Sequence, residues 1–198
     1  MVTEAPWMWI IGGPNGAGKT TLARAILGGV VPTNAFVNTD EIARTLGTQS
    51  RGSAMMAGRV SIDAVESHIA SRTSFAVETT LSSRRYLHVI DRLRQHPMWS
   101  GAGWRFGLFY VGVAHVETSL CRIAKRVASG GHGVPEVDVR RRFGRSVTFL
   151  RDHASLCDRV VVFDNTGSAP NLLVDGWRGE ESLRGMIFPW EQEHHCHD

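Results

Sequence analysis

"GGPNGAGKTT", Gly12 to Thr21, decides how the rest of this sequence is read. It carries the spacing Gly13-x4-Gly18-Lys19-Thr20, a full Walker A pattern. Glycines at these places let successive backbone N–H groups curl round a phosphate, and the helix that follows adds its N-terminal dipole. Lysine then reaches the β- and γ-phosphates, and the threonine hydroxyl is a ligand for Mg²⁺. The pattern requires a buried strand before it and a helix after it. Both are legible: "WMWII" is a short apolar run, and residues 19 to 27 read as a helix. The nucleotide-binding set is therefore Gly13, Pro14, Asn15, Gly16, Ala17, Gly18, Lys19, Thr20 and Thr21.

Outward from the loop, strands and helices alternate. "AFVN", "SFAVE", "WRFGLFYVGV" and "RVVVFDN" read as strands, with "NLLVDG" as a last weak one. Helices are expected at 51–72, where Met55, Ile62, Val65 and Ile69 give an apolar stripe, and at 84–95, 115–129 and 136–157. Such alternation predicts an α/β fold with a parallel sheet covered by helices on both faces. The chain's 198 residues suffice for one well-cored domain, taken as 1–190, and "EHHCHD" is read as part of a flexible tail, 191–198.

Composition narrows the class. No run of about 18 apolar residues is present to span a membrane, and the N-terminus lacks the pattern of a signal peptide. Three widely spaced cysteines, Cys121, Cys157 and Cys196, argue against a disulfide framework and for a reducing compartment, so a cytoplasmic protein is expected. The net charge of +3 is too mild to imply a nucleic-acid partner. ABC transporter ATPases share the wording of the loop. They are set aside for want of a serine-glycine-glycine signature and an hhhhD-E Walker B strand, since Asp175 in "NLLVDG" is followed by glycine. A GTPase is set aside because no N-K-x-D appears. The kinase branch of small P-loop proteins remains, with a small-molecule acceptor as partner.

A kinase needs a carboxylate to orient or deprotonate the acceptor hydroxyl, and arginines to neutralise charge on the transferred group. Asp40 ends the second strand and Glu78 the third, so both fall on the carboxyl edge of the sheet beside the loop. Asp40 reads as the base, or as an N-cap of the helix starting at Glu41. Glu78 reads as a holder of a Mg²⁺-bound water or of a substrate hydroxyl, or as a strand-end acid bonding the next turn. Thr79 and Thr80 are substrate-contact candidates. Asp164 and Asn165 either contact the adenine or make a turn.

"RIAKRVASGGHGVPEVDVRRRFGRS", residues 122 to 146, gathers arginines on either side of a glycine break. Glycine allows a hinge. Pro135 is placed one position inside the second helix, with Glu136 and Asp138 in its first turn. Val139, Phe143, Val147 and Leu150 form its apolar stripe; Arg142 borders it and Arg141 faces nearly opposite. A solvated face and an arginine lid both fit, and the phosphate loop favours the lid. His132 is a hinge residue or a phosphate contact.

Taken in order, "GGPNGAGKTT", "NTDEIAR", "AVETTLSSR", "RVASGGHGVPEVDVRRRFGRS" and "FDNTG" resemble the zeta toxin family of P-loop kinases, particularly its short members. The resemblance covers most of residues 7 to 167. It implies a phosphotransferase using ATP or GTP with Mg²⁺. The family's characterised toxins phosphorylate UDP-N-acetylglucosamine and are neutralised by an epsilon antitoxin. It assigns nucleotide and metal to Lys19 and Thr20, the base to Asp40, and the lid to Arg126 and Arg142. Another small-metabolite or nucleotide kinase with this lid, or a nucleotide-dependent binding module, are the alternatives.

Overall fold

Residues 5–27, 33–47, 51–95, 103–177 and 188–191 are described by the computed structural model of the chain. Strand β1 (Trp7–Gly12) leads through the glycine loop into helix α1 (Lys19–Leu27). A 3-10 turn (Thr33–Ala35) precedes β2 (Phe36–Asn38), followed by α2 (Thr39–Thr45), α3 (Arg51–Ser71), β3 (Phe75–Glu78) and α4 (Arg85–Gln95). Next come β4 (Arg105–Gly112), α5 (Val116–Ala128), α6 (Glu136–Leu156), β5 (Arg159–Asp164) and β6 (Asn171–Trp177).

The six strands form one sheet in the order β2-β3-β1-β4-β5-β6. The first five are parallel, and their central residues are apolar at both alternating positions, as expected where helices cover both faces. β6 departs from the expected parallel sheet. It runs antiparallel to β5 because a short loop, not a crossover helix, joins the two, with a register shift between Val162 and Phe163. β1 is where strand order reverses, since β3 lies on one side of it and β4 on the other. A crevice opens at such a switch point beyond the carboxyl ends of the strands, and the glycine loop leaves β1 there.

Two local expectations are corrected. On α3, Val65 and Ile69 are buried, but Met55 and Ile62 are exposed; Ala57 and Ser61 complete the buried face instead. Small residues let α2 approach, and Ser61 Oγ shares a 2.8 Å hydrogen bond with Thr39 Oγ1 on α2. Pro135 lies just outside α6 as its N-cap, its carbonyl accepting from Asp138 N at 3.0 Å and Val139 N at 3.1 Å. The stripe Val139, Phe143, Val147 and Leu150 is buried as expected. Among the described residues, no helix is long and apolar enough to cross a membrane. The histidine-rich segment and Cys196 lie outside the described residues.

Candidate active site

The phosphate loop is built from conformations that only its sequence permits. Gly13 has φ +139°, and a Cβ there would sit 2.1 Å from the Val111 carbonyl oxygen, so β4 packs directly on the loop backbone. Asn15 and Ala17 are buried. Lys19 opens α1 and is itself buried, its Nζ donating to the Pro14 carbonyl at 3.0 Å. Burial pushes the ammonium's pKa down. Glu78 and Asp40 oppose that shift, and the charge of Arg126 adds to it.

Parallel register brings the next groups together. Ile11 pairs with Glu78, and Glu78 pairs with Asn38, so the ends of β1, β3 and β2 line up along one edge. Thr20 Oγ1 donates to Glu78 Oε2 at 2.7 Å, and Asn38 Nδ2 donates to the same oxygen at 2.9 Å. Burial raises the Glu78 carboxyl above its ordinary range; Lys19 and the Thr20 hydroxyl pull it back, while Asp40 and Glu41 add to the rise. Burial thus works against both charges, and each offsets the other's penalty.

Asp40 does not end β2 and does not cap α2. β2 stops at Asn38, and Asn38 is the N-cap, its Oδ1 accepting from Asp40 N at 2.9 Å and Glu41 N at 3.2 Å. Asp40 is exposed in the first turn of α2 and close enough to affect the charges of both Lys19 and Glu78. Thr79 and Thr80 are half-buried on the same edge. Their hydroxyls serve the turn: Thr79 Oγ1 accepts from Leu81 N at 3.1 Å, and Thr80 Oγ1 pairs with Ser82 Oγ at 2.8 Å.

Asn165 is part of the site in a way the sequence reading missed. Its Nδ2 donates to the Ala17 carbonyl at 2.7 Å and its backbone N to the Gly112 carbonyl at 2.9 Å, so it clasps the phosphate loop to β4. Asp164 makes the turn, accepting from Thr166 N at 2.9 Å. Arg122 closes the same corner from α5, its Nη2 donating to the Thr166 carbonyl at 3.3 Å.

The arginine stretch divides by environment. α5 ends at Ala128 and the chain turns away at Gly130, φ +84°, where Gly131 N donates to Arg126 O at 2.8 Å and Gly130 N to Val127 O at 2.9 Å. This double closure is a helix-terminating turn that requires the left-handed glycine. Arg126 is exposed on the last turn of α5, within electrostatic reach of Lys19. Arg142 is half-buried, with Asp138 4.0 Å away, whereas exposed Arg141 binds Asp138 at 2.5 Å. Arg140, unnoticed in the sequence, bridges Glu136 at 2.8 Å and Glu117 of α5 at 2.9 Å, tying the two helices together. His132 is exposed between them.

The donor set suits Mg²⁺. Thr20 and Glu78 offer hard oxygen atoms, and Glu78 Oε1 has no hydrogen-bond partner among the described residues. Among the described residues, no cluster of three or more His, Cys, Asp or Glu that could hold a metal ion is found. Mg²⁺ is commonly held by one or two protein oxygens plus waters and substrate phosphates, and does not need such a cage.

The sequence model described as "ABC transporter" matches residues 3–108, more than half of the chain. The chain belongs to the P-loop ATPase family that this model describes. The match takes in β1, the phosphate loop and the first half of β4, and stops before α5 and α6. Setting ABC ATPases aside for want of a serine-glycine-glycine tripeptide is corrected: Ser129-Gly130-Gly131 spells it. In this P-loop ATPase those residues form the turn that ends α5. Asp175 lies on the antiparallel strand β6, paired with Arg159 at 2.9 Å, and is no Walker B acid. An "uncharacterized protein" of Haemophilus influenzae is 31% identical over 132 residues, 66% of this chain and 88% of that one. The structure of AvrRxo1-ORF1:AvrRxo1-ORF2 with sulphate ions is similar at 18% identity and a TM-score of 0.62, over 88% of this chain and 60% of that one. The present P-loop ATPase therefore spans less than two thirds of the AvrRxo1 chain. The PezAT chromosomal toxin-antitoxin system of Streptococcus pneumoniae matches at 14% identity and a TM-score of 0.56, over 96% of this chain and 83% of that one. At these identities the two structures establish a shared fold.

Proposed function

We propose that this chain is an ATP- or GTP-dependent kinase of the zeta-toxin type, transferring a γ-phosphoryl group to a hydroxyl of a small metabolite. The observation that carries the reading is the single hydrogen-bonded row Thr20–Glu78–Asn38–Asp40 beside the buried Lys19. A module that only binds nucleotide needs the loop and Lys19; it does not need a second, exposed carboxylate within electrostatic reach of that lysine.

In this reading Lys19 leaves the Pro14 carbonyl to meet the β- and γ-phosphates. Thr20 and Glu78 would hold Mg²⁺, which would supply charge neutralisation to the phosphates when bound. Asp40 accepts the proton of the acceptor hydroxyl as the new O–P bond forms and the bond from the γ-phosphorus to the β–γ bridging oxygen breaks, the nucleoside diphosphate leaving; Arg126 and Arg142 approach the transferred group from the lid. Thr79 and Thr80 line the acceptor's side of the edge. The sequence resemblance to the zeta toxin family suggests a UDP-amino sugar such as UDP-N-acetylglucosamine as acceptor, and similarity of fold to the PezAT toxin-antitoxin system supports an antitoxin protein as partner. Residues 1–190 act as one catalytic domain in the cytoplasm.

The test is to incubate the protein with labelled ATP and a metabolite extract and to identify the labelled product by mass spectrometry. Asp40→Asn should retain nucleotide binding while transfer falls about a hundredfold or more; Lys19→Ala should lose both. Full transfer by Asp40→Asn removes the base assignment, and unchanged ATP turnover by Lys19→Ala removes the kinase reading.

A further inference from the structure

The Asn38 side chain is bonded in two directions at once. Its Oδ1 takes the N–H groups of Asp40 and Glu41, and its Nδ2 donates to Glu78 Oε2. Capping α2 uses only the acceptor, and a serine would supply it equally well. The donor half is therefore surplus to the cap, and it is spent on the carboxylate beside Thr20. Asn38 is buried, so water does not compete freely for that amide.

The geometry points to Asn38 as a positioning residue of the phosphoryl-transfer site: one rigid amide that aims the Glu78 carboxylate and anchors the helix bearing Asp40. This inference rests on the kinase reading above. Asn38 and Thr20 both bond Oε2, which leaves Oε1 as the oxygen without a hydrogen-bond partner among the described residues. A carboxylate with one oxygen fixed by two donors has little freedom to rotate. The primary amide holds its donor and acceptor about one C–N and one C–O bond apart on a plane. It therefore sets the separation between the start of α2, where Asp40 stands, and the end of β3, where Glu78 stands. Direct register between Asn38 and Glu78 in neighbouring strands makes the link as stiff as the sheet itself.

Asn38→Ser separates the two halves, because the serine hydroxyl still caps α2 while the amide donor to Glu78 is lost. Three readouts are compared with wild type: the ligand-free melting temperature, binding of a fluorescent N-methylanthraniloyl ATP in EDTA, and the Mg²⁺ concentration giving half of its effect on that binding. Melting and EDTA binding should stay near wild type, while the Mg²⁺ requirement rises about 10- to 100-fold, as when partners of metal ligands are removed. For transfer, kcat should fall with little change in KM for ATP. In a Glu78→Ala background the same substitution should add nothing, since its effect passes through Glu78. A wild-type Mg²⁺ response in Asn38→Ser, or an equal loss with and without Glu78, overturns the proposal. So does failure of both Asn38→Ser and Asn38→Asp to fold, which makes Asn38 a packing residue. The kinase reading fails separately, and takes this one with it, if Mg²⁺ and Lys19→Ala leave nucleotide binding unchanged in otherwise wild-type protein.

Discussion

Gly112→Ala is a one-carbon change with a large expected effect. Gly112 ends β4, and a Cβ built there would fall 2.2 Å from Cζ3 of Trp190 and 2.5 Å from two further ring atoms. A flexible side chain would move aside, but Trp190 is 1% exposed and held between Phe188 and Tyr110, with ring centroids 5.2 and 5.5 Å away. Either the strand shifts, at the overpacking cost of about 1–3 kcal/mol, or the indole leaves its slot, at the roughly 3–5 kcal/mol of a lost buried tryptophan. The cheaper route prevails, so about 3 kcal/mol is the working value. In a chain of this size each kcal/mol moves the melting temperature by about 2–4 °C, giving a fall of about 6–12 °C. The strand shift also reaches the site, because the Gly112 carbonyl accepts the Asn165 N–H and Asn165 holds the Ala17 carbonyl. Weaker nucleotide binding should therefore accompany the lower melting temperature. Differential scanning calorimetry and near-ultraviolet circular dichroism read the packing, and Trp190→Phe should recover part of the loss by making room. A melting temperature within about 2 °C of wild type, with an unchanged aromatic spectrum, would refute the packing argument.

Two other outcomes follow from the site. Burial raises the Glu78 carboxyl, so its stabilising contribution is complete below its unfolded value of about 4.5 and is lost as pH rises through its higher folded value. Ligand-free Glu78→Gln should then melt above wild type at pH 7 and converge with it near pH 4; a gap that persists at pH 4 contradicts the cause assigned. On the proposed lid, Arg126→Ala and Arg142→Ala should each lower kcat about 10³-fold or more under saturating Mg-ATP, more than they raise KM. Arg141→Ala, whose guanidinium is occupied by Asp138, should do far less, and equal effects from all three would make the stretch a solvated face.

What the sequence revealed was local or periodic. The phosphate loop carries its conformation in its glycines, and α1 spans the expected residues, Lys19–Leu27. The buried face of α6 announced itself through four apolar residues at helical spacing. Periodicity misled on α3, where Met55 and Ile62 have the right spacing but close packing of α2 selects Ala57 and Ser61. The direction of β6 was hidden because strand pattern is the same in either direction. Asn38 was passed over, and Asn165 was read as an adenine contact or a turn and not as a clasp on the loop, for another reason. Their roles depend on partners 40 and 148 positions away, and an asparagine after a strand reads first as a turn. Glu78 was legible as an edge acid, but which of its oxygens is taken up by hydrogen bonds depends on two neighbours, Thr20 and Asn38, that only folding assembles.

The two outer strands also govern how copies of this protein meet one another. A sheet edge with unpaired N–H and C=O groups is a template for another chain, and long flat edges promote polymerisation. β2 offers only the three residues Phe36–Asn38 before α2 begins, too short a rail for a lasting added strand. At the opposite edge, the irregularity between Val162 and Phe163 breaks the ladder that β6 makes with β5, and such breaks increase local twist. Asp175 adds an exposed charge on β6 itself. Crowding should therefore leave this sheet as a closed unit, even though its first five strands are among the apolar, β-rich segments most prone to stacking once exposed.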